Sequence, residues 1–223
     1  TAVYLYDSEG FLVSSLVGSS PNDAVGSMGI HVLDNGNFVV HSPQWDNAGA
    51  PNAGAVTWGS AENGFPGGIG VVVSSANSIV GANTGDGVGS QQVTALKNGN
   101  YVVRTPNAGD TTYTRVGAVT WGNGATGTSG VIGPANSLMG SFSEDYIGAN
   151  IRELTNGNYV VFSADWANLG TGVSNAGAAT WCSGTAPTVG IVGPTNSYVG
   201  TRPNDTISSG GVRALANGNY VVI

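Results

Sequence analysis

Val93-Thr94-Ala95-Leu96-Lys97-Asn98-Gly99-Asn100-Tyr101-Val102-Val103 reads as two short alternating apolar runs joined by an Asn-Gly-Asn triplet. An Asn-Gly between two such runs is the strongest short-range signal for a β-hairpin, and a type I′ turn, with φ > 0 at both central residues, is expected there. The triplet recurs at Asn35-Gly36-Asn37, Asn156-Gly157-Asn158 and Asn217-Gly218-Asn219, so that successive copies begin 63, 58 and 61 residues apart. Each is followed by an aromatic residue and two valines: Phe38-Val39-Val40, Tyr101-Val102-Val103, Tyr159-Val160-Val161 and Tyr220-Val221-Val222. A fixed period of this length decides the architecture before any single residue is considered.

Two further elements keep the same period. Gly-Ala-(Val/Ala)-Thr-Trp occurs at Gly54 to Trp58, Gly117 to Trp121 and Gly177 to Trp181. Asn-Ser, two mostly apolar residues and a glycine occur at Asn77 to Gly81, Asn136 to Gly140 and Asn196 to Gly200. The unit therefore reads as four short strands: two hairpin strands, a Trp strand and an Asn-Ser strand. No helical periodicity of useful length interrupts them. The chain opens with Ala2 to Tyr6, read as a Trp strand with tyrosine substituted, and Ser15-Leu16-Val17-Gly18, read as an Asn-Ser strand. It closes with Val212 to Ile223, the first two strands of a unit. These complementary halves predict an all-β, four-bladed β-propeller closed by N- and C-terminal half-blades, since ring closure removes exposed sheet edges. The expected single domain spans 1–223, with blade 1 formed by 205–223 plus 1–18, blade 2 by 23–81, blade 3 by 86–140 and blade 4 by 145–200. A linear array cut at an arbitrary point would carry the same half-units and is the main rival.

Composition narrows the function. Of 223 residues 37 are glycine and only 9% are charged, while 40% are hydrophobic, which separates the chain from solvated disordered tails. Six Lys plus Arg against thirteen Asp plus Glu leave a net charge of −7, with no cationic surface for phosphates or anionic lipid. No nucleic-acid partner and no membrane insertion are expected, because no apolar run approaches the roughly 18 residues of a spanning helix. No signal peptide is recognisable, so the mature secreted form or an excised segment is expected. The single cysteine, Cys182, cannot form a disulfide within the chain, and two histidines do not make a Cys/His zinc site. No cofactor is expected.

Candidate chemistry is sparse. Asp23, Asp86, Asp145 and Asp205 recur at spacings of 63, 59 and 60, each four or five residues after the glycine that ends an Asn-Ser strand. A fourfold carboxylate set could hold a cation as hard oxygen ligands hold calcium, but without a clustered Asp-x-Asp-x-Asp-Gly pattern turn-capping is the preferred reading. Trp45, Asp46 and Asn47, and likewise Asp165, Trp166 and Asn168, stand in the loop before a Trp strand; in the repeat between them Asn107, Asp110 and Tyr113 take the place. An aromatic ring beside Asp and Asn suits a sugar site, the ring stacking on a pyranose face and the polar groups reading hydroxyls; the competing reading is packing over the sheet. Trp58, Trp121 and Trp181 are expected in the core between blades. His31 and His41 read as ordinary strand positions and Cys182 as a tolerated small residue.

The linked motifs Asn-Gly-Asn-Tyr-Val-Val, Trp-Asp-Asn, Asn-Ala-Gly-Ala-Val-Thr-Trp-Gly and Asn-Ser-Leu-(Val/Met)-Gly together resemble a repeat of very large bacterial exported proteins, the filamentous-haemagglutinin-like and other adhesin-type surface proteins. The resemblance covers essentially the whole chain and implies a secreted or cell-surface location. It implies a non-catalytic structural or adhesive role, in fibres or by self-assembly, with the protein itself or surface glycans as partner. A carbohydrate-binding lectin using the Trp-Asp loops is the alternative, and a polysaccharide-active enzyme a second one.

Overall fold

The computed structural model describes residues 1–168, 170 and 172–223, and among these every regular element is a β-strand. The N-terminal half-unit supplies β1 (Ala2–Tyr6) and β2 (Leu12–Val17). The first repeat supplies β3 (Ile30–Val32), β4 (Phe38–Ser42), β5 (Ala55–Gly59), β6 (Val71–Val72) and β7 (Ser78–Val80). In the second come β8 (Thr94–Ala95), β9 (Tyr101–Thr105), β10 (Ala118–Gly122), β11 (Gly130–Val131) and β12 (Ser137–Met139). The third holds β13 (Asn150–Glu153), β14 (Tyr159–Ser163), β15 (Ala178–Cys182), β16 (Gly190–Ile191) and β17 (Tyr198–Val199), and β18 (Val212–Ala214) and β19 (Tyr220–Val222) follow.

Two compact units emerge. The first comprises Thr1–Val103 and Gly122–Ile132, the second Arg104–Trp121 and Gly133–Ile223. In the first unit β1, β2 and β6 form one sheet, and β3, β4, β5, β7 and β11 another in that spatial order, beside the β8–β9 hairpin. Its core gathers Leu16, Phe38, Val40, Trp45 and Phe65. In the second unit β10, β12 and β16 pair in sequence, β13, β14, β15 and β17 form a four-stranded sheet, and β18 and β19 pair with each other. Leu154, Val160, Ala179 and Val212 are buried together there. Strand pairing among the described residues thus shows an all-β chain of several sheets built on three repeats, and no closed barrel or propeller.

The repeat has five strands, not four. Its extra member, the two-residue strand β6, β11 or β16, sits in a glycine-rich loop and leaves its own repeat. It pairs in parallel with the Asn-Ser strand one unit earlier: Val71 opposite Leu16, Gly130 opposite Ile79, Gly190 opposite Leu138. A piece cut at 23–81, 86–140 or 145–200 therefore does not own a whole sheet.

The recurring motifs are explained by these contacts. At the hairpin, Leu33 N–H donates to Asn37 O (2.7 Å) and Gly36 N–H to Leu33 O (2.9 Å), which makes a three-residue loop with a bulge and only Gly36 at positive φ (+87°). This corrects the expected two-residue type I′ turn. The first Asn does not need a left-handed backbone; its Oδ1 instead accepts the N–H two residues on, as Asn35 does from Asn37 (3.1 Å) and Asn156 from Asn158 (3.1 Å). On the neighbouring strands Thr57 faces Ser78, Thr120 faces Ser137 and Thr180 meets Ser197, each hydroxyl pair at 2.7 Å. The glycine that opens each Trp strand has φ of +78°, +78° and +75° at Gly54, Gly117 and Gly177. A Cβ there would be driven into the backbone of Val88, Ile147 or Ile207, which run alongside as parallel bridges. In the N-terminal half-unit Ala2 faces Val17 as Ala55 faces Val80, so Leu5, and not a tyrosine, stands where Trp58 stands.

Candidate functional site

The recurring aspartates are latches on their own turns. Asp145 is fully buried; its Oδ2 accepts the N–H groups of Ser141 (2.8 Å) and Phe142 (2.9 Å), and its Oδ1 that of Ala167 (2.9 Å). Asp23 repeats the pattern with Ser20 N (2.7 Å) and Asp46 N (3.2 Å), Asp86 with Ala82 N and Asn83 N, and Asp205 with Thr201 N and Arg202 N. The lone pairs that would ligate a cation are directed at backbone donors. Among the described residues no three His, Cys, Asp or Glu side chains gather in a metal-holding group. Surroundings split the set electrostatically: burial pushes the Asp145 carboxyl above the usual range, whereas the N–H groups of Thr201 and Arg202 hold exposed Asp205 below it.

The sugar reading of the Trp-Asp loops meets a physical obstacle. Trp45 is 4% exposed and Trp166 2%, so neither indole offers a face to solvent. Trp45 packs with Leu16, Phe38 and Phe65 instead. Both indole N–H groups are buried without an acceptor among the described residues. In the second repeat the same backbone place, marked by a bond from the Gly117 N–H, belongs to buried Ala108, as Trp45 and Trp166 receive Gly54 and Gly177. Asn47 Nδ2 donates to Gly81 O (2.7 Å) and Asn168 Nδ2 to Gly200 O (3.4 Å), tying each loop to the end of an Asn-Ser strand. Asp46 Oδ1 accepts from Asn52 N (2.8 Å), while Asp165 is exposed.

Each of these loops nevertheless borders a cleft. In the first unit Ser20, Trp45, Asp46, Asn47, Val72 and Ser74 line a cleft of about 550 Å³. In the second unit a cleft of about 470 Å³ lies between the Asp165 loop and the turn of Asp145, lined by Phe142, Ser143, Glu144, Tyr146, Asp165 and Asn175 among others. Around this second cleft the sequence reading missed a cluster. Arg115 Nε donates to Glu144 Oε1 (2.8 Å) and its Nη2 reaches the same oxygen; Tyr146 OH donates to Glu144 Oε2. The Arg115 guanidinium also lies 5.9 Å from the Tyr146 ring centre, and Phe142 leans on Tyr113 at 4.7 Å. The Tyr146 hydroxyl and the Arg115 guanidinium hold the Glu144 carboxyl below its ordinary range. The available signal was the flanks of the recurring acid, small in Gly85-Asp86-Gly87 and large in Glu144-Asp145-Tyr146.

Two of the three strand tryptophans, Trp58 and Trp121, join repeats. Trp58 Nε1 donates to Gly124 O (2.9 Å), and the same oxygen accepts Asn35 Nδ2 and Asn37 Nδ2 (both 2.8 Å). Trp121 Nε1 donates to Gly184 O (3.0 Å), the equivalent carbonyl 60 residues on. Trp58 is buried, Trp121 half-buried and Trp181 47% exposed. Buried His41 sets Nδ1 3.2 Å from Gly89 O, and burial pushes its pKa down, so the ring is neutral at pH 7. Cys182 is buried and its thiol pKa is pushed up to about 12 by that burial, which leaves it protonated and unreactive.

Hairpins, latches and inter-repeat bonds that recur about every 60 residues define a β-repeat protein. The chain belongs to a family described as a repeat of unknown function (DUF5650), whose model matches residues 32–90, 95–149 and 153–209. A search of curated proteins finds no match.

Proposed function

We propose that this chain is a non-catalytic structural and adhesive repeat module of a secreted or cell-surface bacterial protein. One observation carries the reading: the polar side chains that recur in the repeat are occupied in building it and in joining it to the next. Asn35, Asn37 and Trp58 converge on the Gly124 carbonyl, and the short strands β6, β11 and β16 bond to the preceding unit. Residues used this way support a rigid, protease-resistant array. The finer form of the proposal is the four-bladed ring, which requires β1 to add to β19 and so to complete one sheet; the same addition between molecules would give a head-to-tail filament. Negative-stain electron microscopy of the purified chain separates the two, discs marking closure and filaments marking assembly. An irregular, protease-sensitive particle would overturn the structural reading.

A second reading, glycan contact, is favoured by the two clefts beside Asp46 and Asp165. In this version it rests on the clefts and not on stacking against Trp45 or Trp166.

A further inference from the structure

We propose that the cleft beside Asp165 is a binding site for a neutral sugar, with Tyr146 and Phe142 as its apolar faces and Asp165, Asn175, Ser143 and Ser174 as its hydroxyl readers. The inference rests on the glycan-contact reading above and narrows it to one cleft, one ligand class and a set of side chains outside the Trp-Asp-Asn motif.

Side-chain size, on a shared backbone geometry, separates this cleft from its counterpart. The residues on either side of the recurring aspartate are Asn22 and Ala24, Gly85 and Gly87, and Asn204 and Thr206 at three turns; at the fourth they are Glu144 and Tyr146. Glu144 (φ +70°) and Tyr146 (+49°) lie in the left-handed region, as Ala24 (+44°), Gly85 (+76°), Gly87 (+64°), Asn204 (+61°) and Thr206 (+44°) do at the sister turns, and Arg115 (+54°) matches Asn52 (+53°) and Asn175 (+49°). A non-glycine residue is strained in that region, and an ion pair as open to solvent as Arg115–Glu144 repays little of that strain. Glycine, as at 85 and 87, would hold the same turn with less strain. What is particular to this turn is the bulk of Glu144 and Tyr146, whose side chains wall the cleft. Where Asn175 and Asn204 make a plain amide contact (3.3 Å), Arg115 and Glu144 make a charged one, and Glu144 in turn holds the Tyr146 hydroxyl.

The chemistry of the lining selects the ligand. About 470 Å³ falls within the roughly 300–1,000 Å³ of small-molecule sites and suits one or two sugar rings. Glu144 is neutralised by Arg115, which leaves Asp165 as the net charge of the lining; a uronate or sialic acid would be repelled. Carboxylate, amide and hydroxyl groups around two aromatic rings supply both acceptors and donors for a ring of hydroxyls.

The test is saturation-transfer NMR with maltose, cellobiose, lactose and N,N′-diacetylchitobiose, with galacturonic acid as the anionic control. At least one neutral disaccharide is expected to bind with a Kd of about millimolar, and Tyr146→Gly and Glu144→Gly should each weaken it roughly tenfold. Both variants should melt at or above the wild-type temperature, since glycine relieves the left-handed backbone; a lost fold cannot then pass for a lost site. Asp46→Ala should leave binding unchanged. If the wild type binds none of the four, or only galacturonic acid, both this proposal and the glycan reading fail. If a disaccharide binds equally well to Tyr146→Gly, or binding disappears in Asp46→Ala, the glycan reading stands and this site is refuted.

Discussion

Asp145→Ala offers a direct measure of what the recurring aspartates do. The substitution strips acceptors from the N–H groups of Ser141, Phe142 and Ala167 at a fully buried site. Hydrogen bonds of this kind are worth about 1 kcal/mol each net, so about 3 kcal/mol is at stake. Part of that is returned because a carboxylate no longer has to be desolvated, the same penalty that raises the Asp145 pKa. A net loss of about 2–3 kcal/mol is expected, or a melting temperature lower by about 4–12 °C for a chain of this size. Asp205→Ala removes the same turn contacts where water can replace them, and should cost clearly less than Asp145→Ala. The two groups also oppose each other in pH. Asp145 is raised in the folded state, so its contribution is greatest below the unfolded pKa and is lost as pH rises through the folded one. Asp205 is lowered, so its contribution is present above the unfolded pKa and is lost as pH falls through the folded one. Urea unfolding of both variants, with carbon-13 carboxyl titration of the wild type, tests each statement. Equal losses in the two variants would refute the latch argument, and so would an Asp145→Ala loss under about 0.5 kcal/mol. Millimolar calcium that stabilises the wild type but not Asp145→Ala would restore a metal role.

Other expected outcomes follow from single contacts. Gly117→Ala combines a positive φ with a Cβ driven against the Ile147 backbone, and should cost about 3 kcal/mol or more in urea unfolding, or abolish soluble expression. Trp58→Phe removes a buried indole bond to Gly124 O and should cost about 1–2 kcal/mol, while Trp181→Phe, on a half-exposed side chain, should stay within about 0.5 kcal/mol by the same measurement. Cys182 should resist a thiol-reactive dye in the native protein up to pH 9 and react at once in denaturant, because its pKa is about 12 and the side chain is buried.

Much of the local structure is written in short range. Asn-Gly-Asn marked the hairpin of each repeat and of the C-terminal half-unit, and Gly-Ala-X-Thr-Trp and Asn-Ser marked strands that do pair, because turn chemistry and alternating burial act over a few residues. The turn type escaped because two- and three-residue loops share the Asn-Gly signal; the Leu33 to Asn37 bond decides between them. The strands β6, β11 and β16 escaped because two residues carry no period, and their partners lie in the previous repeat. The same cause hid the fate of Trp45: a tryptophan beside Asp and Asn looks the same on a surface or in a core, and burial is imposed by Leu16 and Phe38 from elsewhere in the chain. Of the candidate sites, the latch role of Asp23, Asp86, Asp145 and Asp205 was legible from spacing. The Arg115–Glu144–Tyr146 cluster was not, since its members lie up to 31 residues apart and meet only through the fold.

The loan of β11 to the sheet of the first repeat, and of β16 to that of β10 and β12, makes successive units overlap as boards do in a lapped joint. Melting one unit takes an edge from its predecessor, so cooperative stability resides in adjacent pairs and should climb steeply over the first few copies added. It also means that the piece to duplicate or delete in lengthening or shortening such an array is not the interval between successive Asn-Gly-Asn triplets. A clean excision must carry the following copy's two-residue strand with it.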